Sequence, residues 1–293
     1  MNYQPLISVI IPSYNRGHLI QKAAQSVLEQ TYNNIELIIV DDCSTDNTET
    51  QVKEINDARV KYFRLEKNSG ACAARNRGIQ EASGEYISFN DSDDCWHSDK
   101  LEKQLKLLQK NNVDVVLCAM RCYDETGNFL HDFPVNVEQG KISYEQLLKY
   151  NCSSTQTLFG KAECFKDVFF DISMPRLQDW DLTLRLSKKY SLFFQREILV
   201  DTFIQKDSIS THPEKGIIAM EKLLEKHKDV ICKNKNIAES FFNKKSAYVC
   251  RYGKNPVDET KFLKENFPNA IHTLKYFLAK TNLYLFLFNL KNE

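Results

Sequence analysis

A chain of 293 residues can bury a substantial core, as one large domain or as a domain with an appendage. Its 39 basic and 39 acidic residues cancel, so nothing global draws it to nucleic acid or an anionic surface, and an anionic ligand must be held by local groups. Nine cysteines, scattered without a CxxC pair, fit reduced thiols better than a disulfide framework or a zinc site. The N-terminal MNYQPLISVIIPS lacks the basic region and cleavage site of a signal peptide, and no apolar run approaches the ~20 residues of a membrane span. These features lead us to expect a cytoplasmic protein.

Along the first third, apolar runs rich in β-branched residues alternate with helix-period segments. Leu6–Ile11 reads as a strand, followed by a helix with Leu19, Ile20, Ala23, Ala24, Val27 and Leu28 on one face. Ile35–Val40 reads as a buried strand. The next helix is expected near Asp46, with Glu49 closing a capping box. Val60–Leu65 is a third strand, Ala73–Ala82 a helix, Glu85–Phe89 a fourth strand, and Leu101, Leu105 and Leu108 mark a helix before the strand Val113–Cys118. This order implies an α/β fold with a mostly parallel, helix-covered sheet. Residues 123–140 read as a hairpin or loop, 143–150 and 179–189 as helical, Leu192–Thr202 as extended, and the chain from about 214 as helical and lysine-rich. The expected division is a catalytic domain over 1–212, halved near 118, and a helical extension over 213–293.

In open parallel sheets, ligands bind beyond the carboxyl ends of the strands. Three polar clusters fall there: Pro12 to Arg16, Asp41 to Ser44, and Asp91 to Asp94. Asp91 and Asp93, two apart on extended backbone, point to one side. Carboxylate oxygens without thiol or imidazole suit Mg²⁺ or Mn²⁺, whose remaining positions are filled by water and a diphosphate. Asp41 could accept a hydrogen bond from a base or ribose, Tyr14 could pack on a base, and Arg75 could face the same crevice. Each cluster alone reads equally well as a solvated turn or helix cap; their arrival at one sheet edge favours a shared site.

The stretches SVIIPSYNR (8–16), IELIIVDDCSTDNT (35–48), NSGACAARNRGIQEASGEYISFNDSDD (68–94) and QDWDLTLRL (178–186) resemble, in order and spacing, the family 2 glycosyltransferases with a GT-A fold. The resemblance implies an inverting, metal-dependent transfer of a hexosyl or N-acetylhexosaminyl unit from a nucleotide-sugar, usually a UDP-sugar, to a glycan or glycolipid hydroxyl in cell-surface polysaccharide or lipopolysaccharide synthesis. Asp41 matches the carboxylate that binds the nucleotide base, in a pocket lined by Pro12 and Tyr14. Asp91 and Asp93 match the DxD motif, with Asp93 the direct metal ligand and Asp91 nearer ribose or a metal-bound water. Arg16, Asn68, Arg75 and Ser92 complete the donor-binding set. Asp179 matches the general base on the acceptor, flanked by Gln178 and Trp180 as acceptor contacts. At a helix N-terminus the base is expected to stay ionised.

Some positions depart from the family pattern. Cys43 stands where glycine is commonest, Asn90 replaces an apolar residue, and Gln178 replaces a glutamate. Gln205 stands where a histidine often closes over the diphosphate, with His212 nearby. Trp96 and Trp180 either pack or offer a platform to a sugar ring. The aromatic tail, 274–290, either packs on the catalytic domain or a second copy, or lies at the inner face of the plasma membrane with Lys264, Lys275 and Lys280 toward the head groups. A non-catalytic GT-A binding or scaffold protein is the alternative function, opposed by the intact set Asp41, Asp91, Asp93 and Asp179. A nucleotidyltransferase lacks its expected phosphate loop, because the segment after the first strand holds one glycine and one arginine.

Overall fold

The computed structural model describes residues 3–135, 137–205, 213–251 and 256–267, together with 272 and 280. Its elements are β1 (Ile7–Ser13), α1 (Ile20–Leu28), β2 (Ile35–Asp41), α2 (Thr48–Lys53), β3 (Val60–Arg64), α3 (Ala71–Glu81), β4 (Tyr86–Phe89), β5 (Cys95–Trp96), α4 (Lys100–Asn111), β6 (Val115–Asp124), β7 (Phe129–Phe133), β8 (Gly140–Ile142), α5 (Tyr144–Lys149), β9 (Leu158–Lys161), α6 (Ala162–Asp167), α7 (Gln178–Leu186), β10 (Leu192–Ile204), α8 (Pro213–Ile231), α9 (Lys235–Arg251) and α10 (Pro256–Asn266). They divide into a larger unit, Met1–Leu147, Asn151–Ser173 and Gln178–Lys206, and a smaller one, Leu148–Tyr150, Met174–Leu177 and Asp207–Glu293.

The larger unit is built on one sheet with the order β3-β2-β1-β4-β9-β6-β10-β5, with β7 paired to β6 and β8 to β10. The β1–β2, β1–β4 and β2–β3 pairs are parallel. Every residue of β1 and β2 is buried, which is why both read as largely apolar runs, broken by Ser8 and Glu36, rather than as regular alternation. On one face α1 buries Ile20, Ala23, Ala24 and Val27, and α4 buries Leu101, Leu105 and Leu108, in one core with Ile7, Val9 and Ile11 of β1. On α3, a Cβ at Gly78 would come within 2.4 Å of Ile10 Cγ2, so only glycine lets this helix lie flush on β1.

The expected parallel sheet holds for the first four strands and then becomes mixed. β9 runs antiparallel between β4 and β6, while β6 and β10 pair in parallel. The inserted β9 leaves β6 and β10 running in the same direction as β1, so the carboxyl ends of all the central parallel strands share one edge. Residues 123–140 contain the hairpin partner β7, antiparallel to β6. In the smaller unit, α8 buries Ala219, Met220 and Leu223, and α9 and α10 meet through Phe242, Phe262 and Phe267, with ring centroids 4.9 to 6.4 Å apart. Polar contacts there include that of the His272 ring, 3.0 Å from Asn243 Oδ1. Among the described residues no helix is long and apolar enough to cross a membrane. Residues 206–212, with His212, and the tail 274–290 other than Lys280 lie outside the described residues.

Candidate active site

The loops after β1 and β2 are stitched into one rim. Asn15 N donates to Ser44 Oγ (2.9 Å), Thr45 N to Asn15 Oδ1 (2.8 Å), Arg16 N to Thr48 Oγ1 (2.9 Å) and Gly17 N to Asp46 Oδ2 (3.0 Å). A Cβ on Gly17 would sit 2.0 Å from Asn47 Oδ1, so glycine is required for this approach. The expected capping box is absent: α2 starts at Thr48, Asp46 Oδ1 accepts from Thr48 N (3.0 Å), and Glu49 pairs with Lys53 (2.5 Å) instead. Asp46 therefore joins two loops. Cys43 has φ +63°, the left-handed conformation that explains why glycine suits its place.

On this rim Pro12 is buried and Tyr14 is 42% exposed, an aromatic ring open to a ligand. Arg16 Nη1 donates to Asn15 O (3.3 Å), and Asn68 is exposed on the loop before α3. Asp41 departs from the expectation of a carboxylate waiting for a base. It is fully buried and accepts from Ser44 N (2.8 Å) and the Tyr62 hydroxyl (2.6 Å), with Arg64 Nη1 at 3.6 Å. Its neighbour Asp42 accepts from Ser69 N and Gly70 N, both at 2.7 Å, and so anchors the start of α3. Tyr62 and Arg64 were not singled out from the sequence, because only the β2–β3 register sets Arg64 beside Asp41.

The three carboxylates after β4 are treated in three ways. Asp91 Oδ1 lies 2.6 Å from Arg75 Nη2, which is buried, so its charge is balanced within the protein. Asp93 lines an open cleft of about 280 Å³ with Lys22, Cys95, Phe203 and Gln205. Asp94 is buried and accepts from Thr202 Oγ1 and Phe203 N, both at 3.2 Å; burial, together with Asp93 and Asp91, pushes its carboxyl well above the usual range. Ser92 is buried within the turn. Asn90 closes that turn, its Nδ2 donating to Asp94 O (3.3 Å), an interaction an apolar residue could not make.

Arg75 connects this turn to the expected base. Its Nη1 also reaches Gln178 Oε1 (3.4 Å), at the first residue of α7. Asp179 follows, its Oδ1 accepting from Trp180 N (2.8 Å). Asp179 keeps partial solvent exposure but is densely enclosed by protein, and this burial raises its pKa to about 6, although the Trp180 amide and Arg75 oppose the rise. Desolvation thus outweighs the helix terminus, although a carboxylate titrating near 6 is still mostly ionised at neutral pH. Trp180 is a second correction. It is 1% exposed and its indole N–H donates to Leu147 O (2.8 Å), so it packs rather than offering a sugar platform. Trp96 is also buried, with Lys100 Nζ 3.8 Å from its ring centroid.

Three buried polar atoms at this edge have no hydrogen-bond partner: Ser13 Oγ at the end of β1, Asn90 Oδ1 after β4, and Arg75 Nε. Such atoms are costly unless something meets them. The described residues contain no group of three or more His, Cys, Asp or Glu able to cage an ion. The hard oxygen of Asp93 and the amide of Gln205 on the same cleft nevertheless fit a Mg²⁺ or Mn²⁺ that draws its other ligands from water and a diphosphate.

A rim, an acidic turn and an enclosed carboxylate gather at the carboxyl edge of an α/β sheet, the edge at which such sheets bind ligands. The sequence profile described as Glycosyl transferase family 2 matches residues 8–163, and the chain belongs to this family. It is 34% identical over 223 residues to TuaG of Bacillus subtilis (strain 168), a glycosyltransferase ascribed to teichuronic acid biosynthesis, covering 73% of this chain and 85% of TuaG. It is 42% identical over 150 residues to the Escherichia coli UDP-Glc:alpha-D-GlcNAc-diphosphoundecaprenol beta-1,3-glucosyltransferase WfgD, covering 50% of this chain but only 56% of WfgD. The S. aureus TarS 1–349 structure in complex with UDP-GlcNAc superimposes with TM-score 0.68 at 19% identity, covering 97% of this chain and 90% of TarS 1–349. That likeness shows the GT-A fold.

Proposed function

We propose that this family 2 glycosyltransferase moves a hexosyl or N-acetylhexosaminyl unit, with inversion, from a UDP-sugar to a hydroxyl of a lipid-linked glycan during assembly of a cell-surface polysaccharide. One observation carries the reading. A single buried arginine, Arg75, touches both Asp91 of the acidic turn and Gln178 beside Asp179. Donor motif and acceptor base are thereby held in one network.

Asp179 is the general base. An acceptor hydroxyl is a poor nucleophile until a carboxylate takes its proton, and a carboxylate titrating near 6 is a stronger base than an ordinary one while remaining mostly ionised at neutral pH. Arg75 and the Trp180 amide orient it. Tyr14 stacks on the base of the donor, and Asp41, held by Tyr62 and Arg64, shapes the floor beneath it. Asp93 and Gln205 would hold a divalent cation, with Asp91 reaching it through water. When bound, that cation supplies Lewis-acid stabilisation of the leaving diphosphate. The names of two similar proteins support the donor and acceptor classes: WfgD takes a UDP-sugar and a diphosphoundecaprenol-linked sugar, and TarS 1–349 was solved with UDP-GlcNAc.

A thermal-shift panel of UDP-, GDP- and dTDP-sugars with and without Mn²⁺ tests this. The expected result is a rise in Tm with UDP-sugars that depends on Mn²⁺. A metal-dependent rise with another nucleotide would correct the donor; no such rise with any of them would overturn the proposal.

A further inference from the structure

In the cleft beside Asp93, the described lining residues include one cation, Lys22 of α1, and two carboxylates, Asp93 and Glu125 from the turn between β6 and β7. Lys22 is solvent-exposed, but its Nζ lies 4.3 Å from the centroid of the Phe203 ring, which places the ammonium at the cleft. The Cys95 thiol lines the same cleft. With about 280 Å³, the cleft is at the small end of ligand pockets, suited to a part of a nucleotide-sugar.

The two carboxylates of the motif face different neighbours. Asp91 turns to Arg75 and the start of α7, where Asp179 lies, whereas Asp93 turns to the cleft with Lys22. Single displacement with inversion requires the attacking oxygen and the leaving oxygen on opposite sides of the anomeric carbon. If Asp179 serves the attacking side, the leaving group belongs on the Asp93 side.

We infer that Lys22 is the residue that receives the distal phosphate of the departing nucleoside diphosphate. This rests on the glycosyltransferase reading above and adds a residue to it. In the step, the acceptor oxygen bonds to the anomeric carbon and gives its proton to Asp179. The bond from that carbon to the distal phosphate oxygen breaks, and its electron pair leaves on the phosphate. The charge gained there meets the Lys22 ammonium. Two carboxylates against one ammonium would repel a diphosphate; a divalent ion held by Asp93 and Gln205 would supply compensating positive charge, to which the Lys22 ammonium adds. The two terminal nitrogens of Arg75 are already engaged, by Asp91 and Gln178.

The test is calorimetric titration of UDP and of UMP, with Mn²⁺ present, into wild-type protein and the variants Lys22→Met and Lys22→Arg. UMP lacks the distal phosphate, so a structural disturbance would weaken both nucleotides alike. The expected result for Lys22→Met is UDP binding weakened about tenfold, UMP binding changed less than about twofold, and near-wild-type UDP binding in Lys22→Arg. Unchanged UDP binding in Lys22→Met, or equal loss for both nucleotides, overturns the inference while the proposed activity stands. Wild-type protein that binds neither nucleotide overturns the UDP-sugar reading and this inference with it.

Discussion

Asp91 and Asp93 belong to one short turn, yet they sit in opposite physical settings. Around Asp91 the protein has finished its electrostatics: Arg75 is 2.6 Å away, buried, and extends to Gln178. Around Asp93 the cleft is open, with Lys22, Phe203 and Gln205 on its walls. The contrast shows that an acidic motif need not be one metal cage. One carboxylate is neutralised by a buried arginine, and the other lines an open cleft. Asp94 follows a third course, with burial driving it toward the neutral acid.

The contrast can be broken most severely at Asp179. Asp179→Asn should keep metal-dependent donor binding and lose transfer by about 10²–10⁴-fold in a rate assay. Transfer at the wild-type rate would remove Asp179 as the base. Because the working form is the carboxylate, wild-type transfer should fall as pH drops through about 6 and level off above it. The same shift has a stability cost. The folded carboxyl titrates near 6 against an ordinary 3.8, so the native state binds the extra proton between these values and stability declines as pH rises through that window. Asp179→Asn should therefore have a higher Tm than wild type at about pH 7.5, with the gap closing below about pH 4.

Arg75→Met attacks the link between the two regions. It strands the Asp91 carboxylate, whose side chain is 29% exposed, so the loss should be on the order of 2–3 kcal/mol, below that of a fully buried pair, by denaturant unfolding. Arg75 also holds the Asp179 pKa down, and its removal should move the acid limb of the pH–rate profile to higher pH. An unmoved limb would show that the arginine does not act on the base. The smallest effect is expected on the rim. Cys43→Gly relieves a residue at φ +63° at some cost in unfolded-chain entropy, for a net gain of about 1 kcal/mol or less in unfolding free energy. A loss of stability would mean that the thiol, 3.7 Å from Glu66 O, contributes more than its backbone costs.

The fold was most legible where strands are buried on both faces. Ile7–Ser13 and Ile35–Asp41 appear in the sequence as runs rich in isoleucine and valine, and their parallel order places Tyr14, Asp41 and Asp91 at one edge without further information. The strand β9, Leu158–Lys161, was not recognised, because four residues running into a helix carry no distinctive period, and its antiparallel insertion depends on contacts far away in sequence. The same limit applies to the site. Spacing pointed to the pair Asp91 and Asp93, and the family resemblance to Asp179, but neither pointed to the closure of Asp41 by Tyr62 and Arg64 or the burial of Trp180, which follow from register and packing. Asn90 was unexplained as a letter in a motif and became intelligible once its amide was seen to close the turn onto Asp94 O.

The division of labour between Asp91 and Asp93 is tested most directly by titrating UDP into wild-type protein and Asp93→Ala by calorimetry, with and without Mn²⁺. The account predicts wild-type binding that requires Mn²⁺ and a variant in which Mn²⁺ no longer improves binding. Equal, Mn²⁺-dependent affinities in the two proteins would contradict it.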